Sequence, residues 1–262
     1  YAQWEADGAA TVCIRNASGG LHVDAWGPGG GQLLDRVPDL LGLNRPGLER
    51  VEAYHPVVKE AKHAFQGLRV GRSGQVYQPL IGTALAQKVT GPNGKAALRR
   101  IAAAFGEAAP GPRDDLLLLP PPKVLAKIPY YAFHALNVEQ HRADLIVRIA
   151  SRAGALQRAA VMAPDDARAH LEKLPGIGPW TSGVVAGGAL GDADAVPIGD
   201  YNLPSIIGHK LAQEPDADDA RMMALLAPYA GMRGLVARVV KLTGANPPRM
   251  APRAEVRDIR RS

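Results

Sequence analysis

The sequence contains a single cysteine, Cys13, among its 262 residues. One thiol cannot form an intramolecular disulfide framework, and it excludes zinc and iron–sulfur sites that need several cysteine ligands. Cys13 lies in the apolar stretch ATVCIR, and we interpret it as a packed strand residue. The chemistry of this chain therefore has to come from other side chains.

Long hydrophobic runs are also missing. The stretch DLLLLPPP is short and ends in prolines, whereas a membrane-spanning helix needs about 20 apolar residues. No basic segment followed by an apolar one opens the sequence. The surplus of Ala, Gly, Arg and Pro is typical of a GC-rich genome. We therefore expect a monomeric, cytoplasmic bacterial protein without membrane contact.

The composition is that of an ordinary globular chain, with 47% apolar and 21% charged residues. Its length suits one large or two modest domains. The formal charge of +6 permits an anionic partner such as nucleic acid without requiring one.

Hydrophobic periodicity divides the chain. Alternation over Thr11–Arg15 and Leu21–Trp26 predicts strands of a small antiparallel sheet, and helical spacing begins at Pro56. The predicted fold is mainly α with this N-terminal α+β part. We predict an N-terminal domain over 1–70, a helical region over 71–244 and a basic tail over 245–262. The predicted helices cover residues 77–90, 94–105, 139–153, 165–174, 181–190, 218–229 and 231–243.

The stretch LPGIGPWTS, residues 174–182, joins two of these helical patterns. Gly176 and Gly178 flank Ile177, and Pro179 suits the first turn of the second helix. Successive N–H groups in such a hairpin form an anion site together with the opening of the helix, and glycine lets a phosphate approach the backbone. The alternative interpretation is a tight turn between packed helices.

LPGIGPWT, followed by DAVPIGDY at residues 194–201, resembles the helix-hairpin-helix (HhH-GPD) DNA glycosylase superfamily. The resemblance is strongest to 3-methyladenine DNA glycosylase II, and LIGTALAQKVTG (80–91) and ALNVEQHRADLIVRIA (135–150) extend it. The resemblance implies the glycosylase fold, double-stranded DNA with damaged bases as the partner, and no cofactor. It also implies a nucleoid-associated location in the bacterial cytoplasm.

In the superfamily a catalytic aspartate follows the hairpin, and Asp200 lies 22 residues after Gly178. Asp200 also suits the N-cap of a following helix, and both roles are compatible. Trp180 and Tyr201 are expected in an aromatic base pocket, with Tyr130 and Tyr131 at its edge. Core packing is the alternative for each aromatic side chain.

The resemblance places the DNA contacts in the hairpin and in the upstream motif. It implies no metal bound by side chains, although the hairpin carbonyls suit a monovalent cation. Lys88 departs from relatives that carry an apolar wedge after the glutamine. The expected DNA-binding residues are Gly176, Ile177, Gly178, Thr181, Gln87 and Lys88.

The predicted function is base-excision repair by a glycosylase that removes alkylated purines, of the 3-methyladenine and 7-methylguanine type, and leaves an abasic site. The alternatives are a non-catalytic DNA-binding protein and a glycosylase for a deaminated or oxidised base. Gly187 and Gly188 are unusual inside the second hairpin helix, since each costs about 1 kcal/mol in helix propensity. We expect the arginine-containing tail to lie at the surface.

Bifunctional relatives carry a lysine two residues after the last hairpin glycine, and Trp180 stands there in this chain. An indole cannot attack the sugar as an amine, so we expect a monofunctional enzyme. Borohydride added during turnover should trap no covalent enzyme–DNA adduct, and the product strand should break only after alkali or heat. A trapped adduct on a gel would show that another amine has the lysine's role.

Overall fold

The computed structural model describes residues 1–247, so the predicted tail lies almost wholly outside the described residues. Five strands occur in this part of the chain: β1 (Ala2–Glu5), β2 (Gly8–Ala17), β3 (Gly20–Trp26), β4 (Glu107–Ala108) and β5 (Leu117–Leu118). The α-helices are α1 (Gly30–Asp35), α2 (Val37–Leu40), α3 (Pro56–Ala64), α4 (Tyr77–Leu85), α5 (Gly91–Phe105), α6 (Pro122–Leu125), α7 (Tyr130–His134), α8 (Gln140–Ser151), α9 (Ala153–Gln157), α10 (Pro164–Glu172), α11 (Pro179–Val185), α12 (Leu203–Ala212), α13 (Asp219–Leu226) and α14 (Arg233–Leu242). Short 3-10 helices cover Leu48–Arg50, Arg158–Val161 and Ala227–Tyr229, and a π-helical turn covers Ala186–Leu190.

The predicted fold class is confirmed. An antiparallel sheet of order β1-β2-β3 opens the chain, and Cys13 pairs with Asp24 across β2 and β3. Gly19 and Gly20 turn the chain between these strands, with φ values of 94° and 152° that favour glycine. β1 was not predicted, because four residues are too few for a clear alternation.

The chain forms two compact units, each built from separate stretches of sequence. One contains residues 1–38 and 77–157, and the other contains residues 39–76 and the described residues from 158 onward. The predicted domain boundaries at residues 70 and 244 stay a prediction. The compact units cut across the first of them, because residues 39–76 pack with helices from the end of the chain.

In the unit that carries the sheet, α4 packs against α5 and α8. Leu80 and Ile81 of α4 are fully buried. This helix ends at Leu85, so the prediction of a helix over 77–90 was too long. Lys88 has a φ of 54°, which an α-helix cannot continue through, and Thr90 then precedes α5.

In the other unit α3, α12, α13 and α14 surround a common core. Val58, Ile207, Met222 and Val236 contribute one fully buried side chain from each helix. Burial of such a side chain stabilises the fold by about 1.5–3 kcal/mol. This core fixes α12 and α13, which follow the predicted catalytic aspartate in the chain.

One lysine side chain is buried in this unit, at the C-terminal end of α14. Lys210 of α12 is buried, and its Nζ donates to the carbonyl oxygens of Val240, at 3.0 Å, and Thr243. Both carbonyls lie at the C-terminal end of α14, where the regular hydrogen bonds of the helix stop. The Val240 carbonyl also accepts from the N–H of Thr243 at 3.2 Å. Burial lowers the pKa of the Lys210 ammonium. Lys210 therefore joins the end of α14 to α12.

No single helix within residues 1–247 is long and apolar enough to cross a membrane. Two consecutive helical stretches are together long and apolar enough by length and composition alone, but they meet at a bend of 108°. These stretches are Asp219–Tyr229 and Arg233–Leu242.

Replacing Lys210 by Met keeps the apolar stem but removes the ammonium that donates to the carbonyls of Val240 and Thr243. We expect the free energy of unfolding to fall by about 1–3 kcal/mol, the usual cost of an unsatisfied buried group. Lys241→Met, at an exposed position of α14, is the matched control. Denaturant unfolding measures the free energy of unfolding of both variants. Equal values for Lys210→Met and Lys241→Met would contradict the role given to Lys210.

Candidate active site

The first hairpin glycine has a conformational role. The N–H of Ile177 donates to the carbonyl of Leu174 at 3.0 Å, which closes a four-residue turn. Gly176 is the third residue of this turn and has a φ of 98°, the type II pattern, with Pro175 at the second position that favours proline. A side chain at Gly176 would strain the backbone.

The second glycine has no such role. Gly178 has an ordinary extended backbone, with φ −109° and ψ −176°, and it precedes the first residue of α11. A Cβ at this position would meet no atom within 4 Å. Within the described chain, the N–H groups of Gly178 and Trp180 have no protein acceptor. Gly178 therefore leaves an open, donor-bearing backbone surface at the start of a helix, which suits an anion.

Buried side chains fix the hairpin between its two helices. Ile177 and Thr181 are buried, so any ligand contact at these positions falls to their backbone groups. Ser182 is fully buried, and its Oγ donates to Glu172 Oε1 of α10 at 2.5 Å. This bond links α10 to α11 directly behind the turn.

The segment from Gly191 to Asp200 passes very close to α11 and α14. A Cβ on Gly183 of α11 would lie 2.8 Å from the carbonyl oxygen of Val196. A Cβ on Gly234 of α14 would lie 2.2 Å from the carbonyl oxygen of Ala195. Because neither contact leaves room for a methyl group, the two glycines determine how closely the segment approaches both helices. Sequence reasoning missed both residues.

Two ion pairs hold the start of the same segment. Asp192 pairs with Arg168 of α10, and Asp194 pairs with Arg233 at the start of α14. The Arg233 backbone N–H and Nε each donate to Asp194 Oδ1 at 2.9 Å. Burial opposes ionisation of Asp194, but these hydrogen bonds outweigh it and its pKa lies below the usual value. The pair therefore stabilises the segment at neutral pH and weakens only in acid.

A second turn presents Asp200. Its N–H donates to the carbonyl of Pro197 at 3.3 Å, and Gly199 has the positive φ of 85° that the third position of a type II turn requires. The N–H of Gly199 donates to Asp219 Oδ2 of α13 at 3.0 Å. Asp200 is thus placed by a turn that is itself attached to a helix.

The Asp200 carboxylate accepts three hydrogen bonds. Oδ1 accepts from the N–H groups of Asn202, at 3.0 Å, and Leu203, at 2.9 Å, at the start of α12. Oδ2 accepts from Trp180 Nε1 at 3.0 Å. The N-cap residue of α12 is Asn202, so Asp200 does not occupy the predicted N-cap position. Its carboxylate nevertheless accepts from the N–H groups at the start of the helix, and these bonds fix it in one orientation. The bond from Trp180 was not predicted, since only an aromatic role was assigned to this residue.

The other predicted site residues are placed as follows. The Tyr201 side chain is 82% exposed, so it is not a core residue. Tyr130 and Tyr131 begin α7 in the unit that carries the sheet, with Tyr131 77% exposed and Tyr130 in an edge contact with the His134 ring. In that unit Lys88 is exposed and Gln87 is partly buried after α4. The structure brings together Trp180 and Asp200 in direct contact.

The unusual glycines lie in a π-helical turn. The predicted helix 181–190 begins two residues earlier, at Pro179, and its last five residues are π-helical. Gly187 and Gly188 are inside this turn, which ends at Gly191 with a φ of 72°. A Cβ on Gly188 would meet nothing within 4 Å, so nothing in the structure explains that glycine. In residues 1–247 no three His, Cys, Asp or Glu side chains are grouped to hold a metal ion.

Solved structures of DNA glycosylases share this fold along nearly the whole chain, which confirms the expected helix-hairpin-helix glycosylase fold. The 3-methyladenine DNA glycosylase from Archaeoglobus fulgidus has a TM-score of 0.75 at 18% identity, over 91% of this chain and 84% of that one. MBOgg1 in complex with a low-affinity DNA ligand has a TM-score of 0.72 at 20% identity, over 92% and 86%.

The 8-oxoguanine glycosylase/lyase of Clostridium acetobutylicum, in complex with double-stranded DNA containing cytosine opposite 8-oxoguanine, also has a TM-score of 0.72. Its identity is 14%, over 92% of this chain and 86% of that one. No protein-family model and no curated protein matches this chain. At these identities the similarity establishes the fold.

The tight contact at Gly183 gives a direct test of how the site is held. Gly183→Ala should force the Val196 carbonyl away from α11 and lower the free energy of unfolding by about 1–3 kcal/mol, as overpacking does. Gly188→Ala, on the same helical stretch but in open space, should not destabilise the protein and should gain up to about 1 kcal/mol from the higher helix propensity of alanine. Thermal and denaturant unfolding provide the comparison, and a fully stable Gly183→Ala protein would contradict this packing.

Proposed function

We propose that this protein is a monofunctional DNA glycosylase that hydrolyses the N-glycosidic bond of a damaged base and leaves an abasic site. The observation that carries the proposal is the Asp200 carboxylate, fixed by Trp180 and by the start of α12, in the same unit as an open hairpin. The shared glycosylase fold supports this function.

The Asp200 carboxylate suits the charge that develops in the reaction. Breaking an N-glycosidic bond builds positive charge on the deoxyribose, and a fixed carboxylate stabilises that charge or orients a water at C1′. Three donors hold the carboxylate before substrate arrives, so little reorganisation is needed during the reaction. The damaged base has to leave the stack before it can be reached.

The hairpin supplies the DNA contact. The N–H groups of Gly178 and Trp180 and the opening of α11 favour a phosphate, and the absent side chain at Gly178 lets the strand approach the backbone. The formal charge of +6 adds a general attraction for nucleic acid. These contacts position the enzyme without reading the base sequence.

Trp180 accounts for the monofunctional reaction. Its indole N–H binds Asp200 at 3.0 Å, so the position of the lyase lysine holds a group that orients the carboxylate and cannot form a covalent amine adduct. Water is then the nucleophile.

We further propose alkylated purines as substrates. Such a base carries positive charge already, so it leaves without an acid, and aromatic faces bind it by cation–π attraction. Trp180 and the exposed Tyr201 are the proposed partners.

Gln87 and Lys88 are the proposed contacts to the duplex at the flipped base. Lys88 is exposed with a φ of 54°, and its apolar stem can enter the stack while the ammonium reaches a phosphate.

Incubation with duplexes that each carry one alkylated, deaminated or oxidised base, followed by detection of the released base, tests the proposal. We expect release of 3-methyladenine or 7-methylguanine. Asp200→Asn keeps an oxygen for the α12 cap but removes the charge, so excision should fall by roughly 100-fold or more with little change in DNA affinity.

Gly178→Val is the contrasting variant. Its side chain has room in the free protein, so folding should be retained while DNA binding weakens first. An Asp200→Asn protein that excises at the unmodified rate would reduce Asp200 to a helix cap and point to another catalytic group. Release of no base from any of the duplexes by the unmodified protein would favour a non-catalytic DNA-binding protein. Release of only an oxidised or deaminated base would overturn the substrate class alone.

A further inference from the structure

Asp219 is an acidic residue of α13 that contacts the turn before Asp200. Its Oδ2 accepts from the N–H of Gly199 at 3.0 Å, one residue before the proposed catalytic carboxylate. Its Oδ1 is buried and has no hydrogen-bond partner among the described residues. A buried carboxylate oxygen without a partner is unfavourable, so its position calls for an explanation.

Capping of α13 does not explain Asp219. The N-cap of this helix is Asp218, whose Oδ1 accepts from the N–H of Arg221 at 2.8 Å. Asp219 follows inside the first turn, where a negative charge adds only a modest interaction with the helix dipole. Its direct hydrogen bond instead goes to Gly199, 20 residues away in the sequence.

The turn needs such an attachment. Gly199 is exposed, and a Cβ on it would meet nothing within 4 Å, so packing does not hold this residue. Within the turn the bond from Asp200 N to the Pro197 carbonyl is long, at 3.3 Å. The bond to Asp219 is shorter and joins the turn to a helix whose Met222 and Leu226 are fully buried.

We propose that Asp219 is a positioning residue for excision. It fixes the peptide before Asp200, so that the Asp200 carboxylate stays between Trp180 and the start of α12. This inference rests on the proposed function of Asp200. A small displacement of a catalytic group strongly reduces the rate, whereas the hairpin's binding to phosphate does not depend on this turn.

Three variants separate positioning from helix stability. Asp219→Ala removes the acceptor, Asp219→Asn keeps an oxygen that can accept from Gly199, and Asp218→Ala removes the cap of the same helix without touching the turn. We expect Asp219→Ala to lower the single-turnover excision rate at saturating DNA by about tenfold or more. Its affinity for abasic DNA should stay within about twofold.

Asp219→Asn should restore most of the excision rate. Asp218→Ala should lower the unfolding midpoint, with a loss of about 1 kcal/mol, and leave excision by the folded protein nearly unchanged. An unmodified rate in Asp219→Ala would overturn the proposal. An equal loss of rate in Asp218→Ala, measured where both variants are folded, would also overturn it, because stability of α13 would then be the cause.

A readout without activity keeps this test separate from the proposed function. The chain has three tryptophans, and the indole N–H resonance of Trp180, assigned with Trp180→Phe, reports the bond to Asp200. Asp219→Ala should shift that resonance in the direction that Asp200→Asn shifts it, and Asp218→Ala should not. If the unmodified protein excises no base but Asp219→Ala still shifts the Trp180 resonance, the glycosylase function is refuted and the positioning of Asp200 by Asp219 is supported. An unchanged resonance would refute the positioning.

Discussion

The candidate active site depends on two close contacts between a helix and a backbone carbonyl, and neither contact has room for a side chain. Gly183 brings α11 against the carbonyl of Val196, and Gly234 brings α14 against the carbonyl of Ala195. Because both helices touch the backbone of one segment, the segment has little freedom to slide between them. The packing of α11, which begins at the hairpin, therefore also restricts the segment that ends at Asp200.

The structural role of Asp200 does not conflict with the chemical role proposed for it. Its Oδ1 satisfies N–H groups at the start of α12, while its Oδ2 accepts from Trp180. The cap interaction orients the carboxylate, and the indole restricts it further. The bonds that stabilise the start of α12 thus also help to preorganise the charge of this carboxylate.

Local patterns were enough to predict the helical fold, the opening sheet and the hairpin, whereas the role assigned to Asp200 came from the resemblance to a family and stays a prediction. Proline and glycine identify turns within a few residues, and periodicity identifies helices. The contacts of Gly183 and the bond from Trp180 to Asp200 join residues 13 and 20 positions apart. Contacts between residues so far apart leave no periodic pattern in the sequence. A glycine inside a helical pattern indicates only a lower helix propensity. The end of α4 was predicted too late, because the presence of Lys88 does not indicate that the backbone has a positive φ at this position.

The π-helical turn at Ala186–Leu190 affects how the chain tolerates changes of length. A π turn holds more residues than an α turn over a similar span, and it usually occurs as a single turn inside an α-helix. Loss of one residue here would convert the turn to α-helix while Trp180 and Asp200 keep their places. Insertions and deletions between the hairpin and the aspartate are thus best absorbed within this helix, away from the hairpin turn and from Asp200.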